Sequence, residues 1–253
     1  MGTLIPGLCS VTLRHLPSEH IVAVAAEAGL ATIEWGGDLH VPPGDLANAA
    51  QVRERTLQAG LTTAAYGSYL RAGSTNTAEI TATVATAVAL GAPRIRIWAG
   101  TQGSAETTAE QRAAVAAAAR RVCDEARDAG IMVAFECHAR TLTDDPASAL
   151  ALLDDVDRPN AGMYWQPPND RPDAAALATL DALLPRIVAV HAFSWWPGTQ
   201  RRRLYERWRL WRAAAARLHT LPRACDVLLE FVPDNDTGIV ATEAETLRRL
   251  LRQ

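Results

Sequence analysis

The sequence predicts an α/β fold, a single (β/α)8 TIM barrel over residues 1–253. Three observations predict it: a unit of helix, glycine stop and short apolar run that recurs about every thirty residues, eight such runs in all, and no linker-like stretch. With 253 residues, 49% of them apolar, the chain has material for one large core. Glycine closes helical stretches at Ala28-Gly29-Leu30, Ala59-Gly60-Leu61, Leu90-Gly91-Ala92 and Ala129-Gly130-Ile131. The runs that follow (32–35, 62–66, 94–98 and 132–136) are too short for helices and read as buried strands. A first strand is expected over 4–11, a sixth over 161–165, a seventh over 187–193 and an eighth over 226–231. Helix starts are marked by Ser18 before Glu19, Thr108 before Glu110 and Thr242 before Glu243, with Pro17, Pro146 and Pro172 at entry points. The rival, a doubly wound open sheet, normally carries a glycine-rich phosphate turn after its first strand. Here that position reads Cys9-Ser10-Val11-Thr12-Leu13, which favours the barrel.

Composition removes several function classes. All 25 basic residues are arginine, so Schiff-base lysines and the P-loop lysine are excluded. A net charge of -3 encodes no general attraction to nucleic acid or to an anionic membrane. Cys9, Cys123, Cys137 and Cys225 form no CxxC pair and read as reduced, mostly buried thiols. No long apolar segment or leader-like start is evident, and a soluble cytoplasmic protein is expected.

A barrel works at the C-terminal ends of its strands, so the polar residues that close each run are the site candidates. These are Glu34 with nearby His40, Tyr66, Trp98, Glu136 with His138, Gln166 with Asn169, His191, and Glu230 with Asp234. Taken singly, a strand-end glutamate also reads as solvated or arginine-paired, and a histidine in an apolar strand reads as a hydrogen-bonded core residue. The coincidence is the argument for a site. Glu136, Gln166, His191 and Glu230 occupy the equivalent point of four consecutive units, and two carboxylates, an imidazole and an amide oxygen suit one divalent metal ion.

Phe135-Glu136-Cys137-His138 followed by Thr141 to Asp145, then Tyr164-Trp165-Gln166-Pro167, His191-Ala192-Phe193 and Leu229-Glu230-Phe231, resembles the xylose isomerase-like TIM barrels of the sugar phosphate isomerase/epimerase group. The resemblance covers essentially the whole chain. It implies Glu136, His191 and Glu230 as ligands of one Mn, Mg, Co or Zn ion, with Glu136 and Glu230 as the acid/base pair. Gln166 departs from the family pattern, which has Asp there, so a neutral oxygen replaces an anionic ligand. Asn169 stands where many relatives have a substrate-binding histidine. The activity implied is isomerisation or epimerisation of a sugar, keto-sugar or cyclitol by proton transfer through an enediolate. A lyase or dehydratase on the same scaffold and a catalytically reduced carbohydrate-binding barrel are the alternatives. An endonuclease IV-like cluster needs more histidines than the six present.

Weaker expectations attach to other residues. His40 on a turn-rich loop is a candidate hydroxyl contact, and His138 a rim or supporting residue. Tyr66, Trp98 and further tryptophans (Trp35, Trp165, Trp195 and Trp196) are candidates to line a pocket for a sugar-like ring. Arg201-Arg202-Arg203 could grip an acidic group, although a helix start paired with Glu206 is the preferred reading. The basic and aromatic stripe from Arg207 to Arg212 offers a face for a second copy of the chain, and a homo-oligomer is one expectation.

Overall fold

The computed structural model describes residues 2–252. Eight parallel strands close into a barrel in chain order: β1 (Leu4–Cys9), β2 (Thr32–Gly36), β3 (Thr62–Ala72), β4 (Arg94–Ala99), β5 (Met132–Glu136), β6 (Ala161–Trp165), β7 (Ile187–Ala192) and β8 (Cys225–Leu229), with β8 returning to β1. The helices that link them are α1 (Ser18–Glu27), α2 (Leu46–Gln58), α3 (Thr77–Leu90), α4 (Ala109–Asp128), α5 (Pro146–Val156), α6 (Asp173–Leu183), α7 (Trp208–Leu218) and α8 (Thr237–Leu251). Gly29, Gly60, Gly91 and Gly130 all take positive φ, between 66° and 74°, as the helix stops require. Among the described residues no helix is long and apolar enough to cross a membrane. All four cysteines are free, and Cys137 alone is not fully buried.

Several boundaries differ from the sequence expectation for local reasons. The first strand stops at Cys9 because Ser10–Leu13 turns into a 3-10 helix, where the Ser10 hydroxyl accepts the Gly36 N–H at 2.8 Å. The third strand continues to Ala72: its register against β4 shifts between Gly67 and Arg71, and the overhang carries Tyr69 and Arg71 to the rim. Helix α8 starts five residues before Thr242, because the Asp236 side chain caps it by accepting Gly238 N–H at 2.8 Å. Arg201 and Arg202 pair with Ser194 and Trp195 as a small antiparallel hairpin, and Arg202 meets Glu206 at 3.0 Å. The stripe expected to face a partner turns inward in part: Trp211 is buried with its indole on Ser194, and Arg207 is buried against Asp173.

Two cores result. A large apolar shell lies between strands and helices. The barrel interior is lined by a smaller set that includes Ala64, Ala134, Tyr164, Val188 and Leu228. Small residues there leave room for charge. Arg94 reaches Asp226 and also donates to Ala64 O at 2.9 Å and Val188 O at 3.2 Å, tying four strands together. Removing one partner strands the other in a low-dielectric interior. Asp226→Ala is therefore expected to lower the unfolding free energy by about 3–5 kcal/mol, read from urea melts. A loss below about 1 kcal/mol would show that water reaches Arg94.

Candidate active site

At the opposite end of the interior from Asp226, strand alternation directs a second set of polar side chains inward. Arg94 and Arg96, two apart on β4, follow it: Arg94 serves the lower pair, and Arg96 reaches the rim. Its Nε donates to Glu34 Oε1 at 3.0 Å and its Nη1 to Glu136 Oε2 at 2.7 Å. Trp98, two residues further, donates its indole N–H to the same Glu136 oxygen at 2.7 Å. The backbone of Glu136 is fixed by the Thr143 hydroxyl, which donates to its carbonyl at 2.5 Å.

His191, fully buried at the end of β7, faces carboxylates from both nitrogens. Its Nε2 lies 3.3 Å from Glu34 Oε1, and its Nδ1 lies 3.1 Å from Gln166 Oε1 and 3.5 Å from Glu230 Oε2. Tyr164 packs its ring against the imidazole at 4.9 Å. Cys9 Sγ, a His191 nitrogen and a Glu230 oxygen lie within 4.8 Å of one another.

The environments of the acids diverge. Burial works to raise the Glu34 carboxyl, but His191 and Arg96 overcome it and hold it at about 2. Burial raises Glu230 to about 7, and Glu136 and Glu34 add to it against His191 and Arg96. Burial opposes charge on His191, yet Cys9, Glu230 and Glu34 hold its pKa well above the ordinary imidazole value. Cys9 itself is pushed up to about 12 by burial and stays a thiol.

A cavity of about 310 Å³ opens above this set, lined by Glu136, His138, Gln166, Asn169 and Glu230 and walled by Phe193, Trp195 and Phe231. Five residues chosen from the sequence thus share one pocket, with His191 directly beneath two of them. Trp98 stands beside it, its N–H taken by Glu136 and its ring 5.4 Å from His138. Two expected substrate contacts are corrected. Tyr66 is fully buried with its hydroxyl donating to Val41 O at 2.9 Å, so it faces the helix shell. His40 is buried and engaged with Ser10 Oγ at 2.9 Å and Leu16 O at 3.2 Å, where it braces the loop after β2. Trp35 and Trp165 are likewise core residues.

Arg96 carries much of this geometry and has no counterpart in the sequence expectation, and Glu34 was there only as a strand end. The signal was the alternation Arg94-Ile95-Arg96-Ile97, which puts both arginines on one strand face.

Donor chemistry fits a divalent cation at His191 Nδ1, Gln166 Oε1 and Glu230 Oε2. The buried His191 Nε2 has no hydrogen-bond partner and turns to Glu34, which orients the ring so that Nδ1 faces the other donors. Glu230, buried beside one imidazole, lacks the guanidinium that Glu136 enjoys.

Fold and rim together define a TIM barrel with a polar centre at the C-terminal ends of its strands. The chain belongs to the xylose isomerase-like TIM barrel family, whose model matches residues 22–251. Among solved structures it is similar to a probable 3-DHS dehydratase, AsbF, from Bacillus anthracis (20% identity, 98% of this chain and 99% of that chain, TM-score 0.77). It is also similar to D-allulose 3-epimerase from Methylomonas sp. (19% identity, 99% of both chains, TM-score 0.72). A third is a xylose isomerase-like TIM barrel protein from Mycobacterium smegmatis in complex with magnesium (17% identity, 98% and 97%, TM-score 0.69). A search of curated proteins returned no significant match.

The two shifted glutamates give stability opposite slopes with pH. Glu34, depressed to about 2, adds stability that is complete above its ordinary 4.5 and lost as pH falls toward 2. Glu230, raised to about 7, holds a proton the unfolded chain has released, so stability falls as pH rises from 4.5 toward 7. Urea melts with a chelator present are expected to show both limbs, each of order 3 kcal/mol. Glu34→Gln should flatten the acid limb and Glu230→Gln the neutral one; unchanged slopes would contradict the assignment.

Proposed function

We propose that the protein is a divalent-metal-dependent isomerase or epimerase of a small polyhydroxy carbonyl compound (a sugar, keto-sugar or cyclitol) that moves a proton through an enediolate. The observation that carries the reading is that Glu136 and Glu230 line one pocket together with Gln166, directly over His191. Similarity to a D-allulose 3-epimerase and to a magnesium-bound member of the fold supports it.

Gln166, His191 and Glu230 would hold the ion, with Glu136 as the remaining oxygen donor. A bound divalent ion supplies Lewis acidity, drawing charge onto a substrate carbonyl oxygen and acidifying the neighbouring C–H. The chain's own groups do the rest. Arg96 and Trp98 both bind Oε2 of Glu136, which holds this carboxylate in one orientation toward the pocket. Burial and the neighbouring carboxylates raise Glu230 to about 7 without the ion; beside a bound ion Glu230 stays ionised and so is ready to accept a proton. One carboxylate takes the proton and the other returns it, to the opposite face for epimerisation or to the adjacent carbon for isomerisation. Phe193, Trp195 and Phe231 cover the apolar face of the substrate and exclude water, while His138 and Asn169 offer polar contacts to hydroxyls.

The similarity to a probable dehydratase favours one second reading, in which Glu230 passes the proton to a β-hydroxyl and water leaves. Product mass separates the two, unchanged for isomerisation and reduced by one water for dehydration.

Activity is to be screened on ketoses and keto-cyclitols with Mn, Mg, Co and Zn. Glu136→Gln and Glu230→Gln are each expected to reduce kcat by about 100- to 10,000-fold while the far-UV spectrum is retained. Full ligand binding with no turnover in the unaltered protein would instead identify a binding barrel. Gln166→Asp adds the missing anionic donor and is expected to tighten Mn binding by about tenfold or more, measured by calorimetry.

A further inference from the structure

Several arginines of this chain are matched with acids: Arg14 meets Asp38 at 2.8 Å, Arg203 meets Glu243 at 2.5 Å and Arg217 meets Asp181 at 2.6 Å. Two that pack against aromatic side chains beside the pocket are not. Arg71, on the overhang of β3, lies with its guanidinium carbon 4.2 Å from the centre of the Trp98 ring, the same indole that holds Glu136. Its hydrogen bond is a single long one, from Nη1 to Gly100 O at 3.3 Å. Across the wall, Arg201 lies 4.7 Å from the Phe231 ring and 5.5 Å from Trp195, and donates only to the neutral Asn235 Oδ1 at 2.6 Å. Neither has a carboxylate within ion-pair distance among the described residues.

These two cations are half-buried. Burial works against the charge on Arg71, Glu136 supports it and Arg140, another cation, opposes it. A guanidinium held against an indole is restrained there, and the N–H groups not used by Gly100 O remain for a planar or tetrahedral oxyanion. A neutral polyol has no use for such a field, whereas an anion is both steered and bound by it. The centre below does not use these cations either, since Arg96 and His191 already face Glu34, Glu136 and Glu230.

We propose that the substrate is anionic, a polyhydroxy compound bearing a carboxylate or phosphate, that Arg71 binds this acidic group, and that Arg201 adds to the attracting field. This rests on the reading above that the pocket takes a polyhydroxy compound.

The test is calorimetry on the manganese-supplemented protein at low ionic strength with three probes that share a carbon skeleton: D-glucitol, D-gluconate and D-glucitol 6-phosphate. At least one anionic probe is expected to bind tenfold or more tighter than glucitol, and which one it is distinguishes carboxylate from phosphate. Arg71→Gln should remove most of that advantage while changing glucitol affinity less than twofold. Arg71→Lys should keep part of it, and Arg201→Gln should reduce it two- to threefold. A gluconate carboxylate could also meet the ion directly, so the variant decides. An anionic advantage that survives Arg71→Gln, or equal binding of all three probes, overturns the proposal. Turnover of neutral ketoses together with equal binding would sink the anion site and leave the isomerase reading standing. Arg71-dependent anion binding without any isomerase or dehydratase turnover would do the reverse.

Discussion

A single guanidinium inside the barrel organises everything above it. Arg96 is 3% exposed and spans Glu34 and Glu136, with His191 closing the set on the far side of Glu34. None of these charges would be tolerated alone in such an interior; each is stable because the others are present. Lysine would be a poor substitute for Arg96, since its three N–H donors radiate from one nitrogen, whereas the guanidinium presents Nε and Nη1 on separate edges to carboxylates held by different strands. Space is the other requirement. A Cβ on Gly67 would lie 2.8 Å from Glu34 Oε1 and 3.0 Å from Arg96 Nη2, so any larger residue on the strand between the two would displace the pair.

From that arrangement the two pocket glutamates acquire different characters. Glu136 is hydrogen-bonded to Arg96 and Trp98, while burial, with Glu136 and Glu34 beside it, raises Glu230 to about 7 against His191 and Arg96. Two carboxylates of the same residue type, at equivalent ends of β5 and β8, thus sit in different environments, and the proposed division of proton transfer between them draws on that difference. Charge in the barrel is layered. Arg94 and Asp226 balance at the lower end, Arg96 and His191 face three carboxylates above, and Arg71 and Arg201 remain unmatched at the rim.

Residues near in sequence and regular in period were the legible ones. The glycine stops announced the units, and the polar residue after each apolar run pointed to the rim, so Glu136, Gln166, Asn169, His138 and Glu230 were found together in one pocket. Tyr66 and His40 show where that rule fails. A strand-end position does not say whether the side chain turns to the barrel axis or to the helices, and in these two the polar atoms are used by Val41, Ser10 and Leu16. The arginine-paired alternative for a strand-end glutamate also proved real for Glu136, and it coexists with a place in the pocket.

By itself, the sequence determined the number of units, the direction of every strand and the end of the barrel where polar chemistry gathers. Those properties follow from local periodicity and from glycine's conformational freedom, which act within a few residues. The tertiary structure alone decided which charges meet. Glu34, Arg96 and Glu136 come from three strands, 62 and 40 residues apart in pairs, and no local rule encodes their convergence. Closure of the sheet brings them within hydrogen-bond distance, and the low dielectric there makes each one's charge depend on its neighbours.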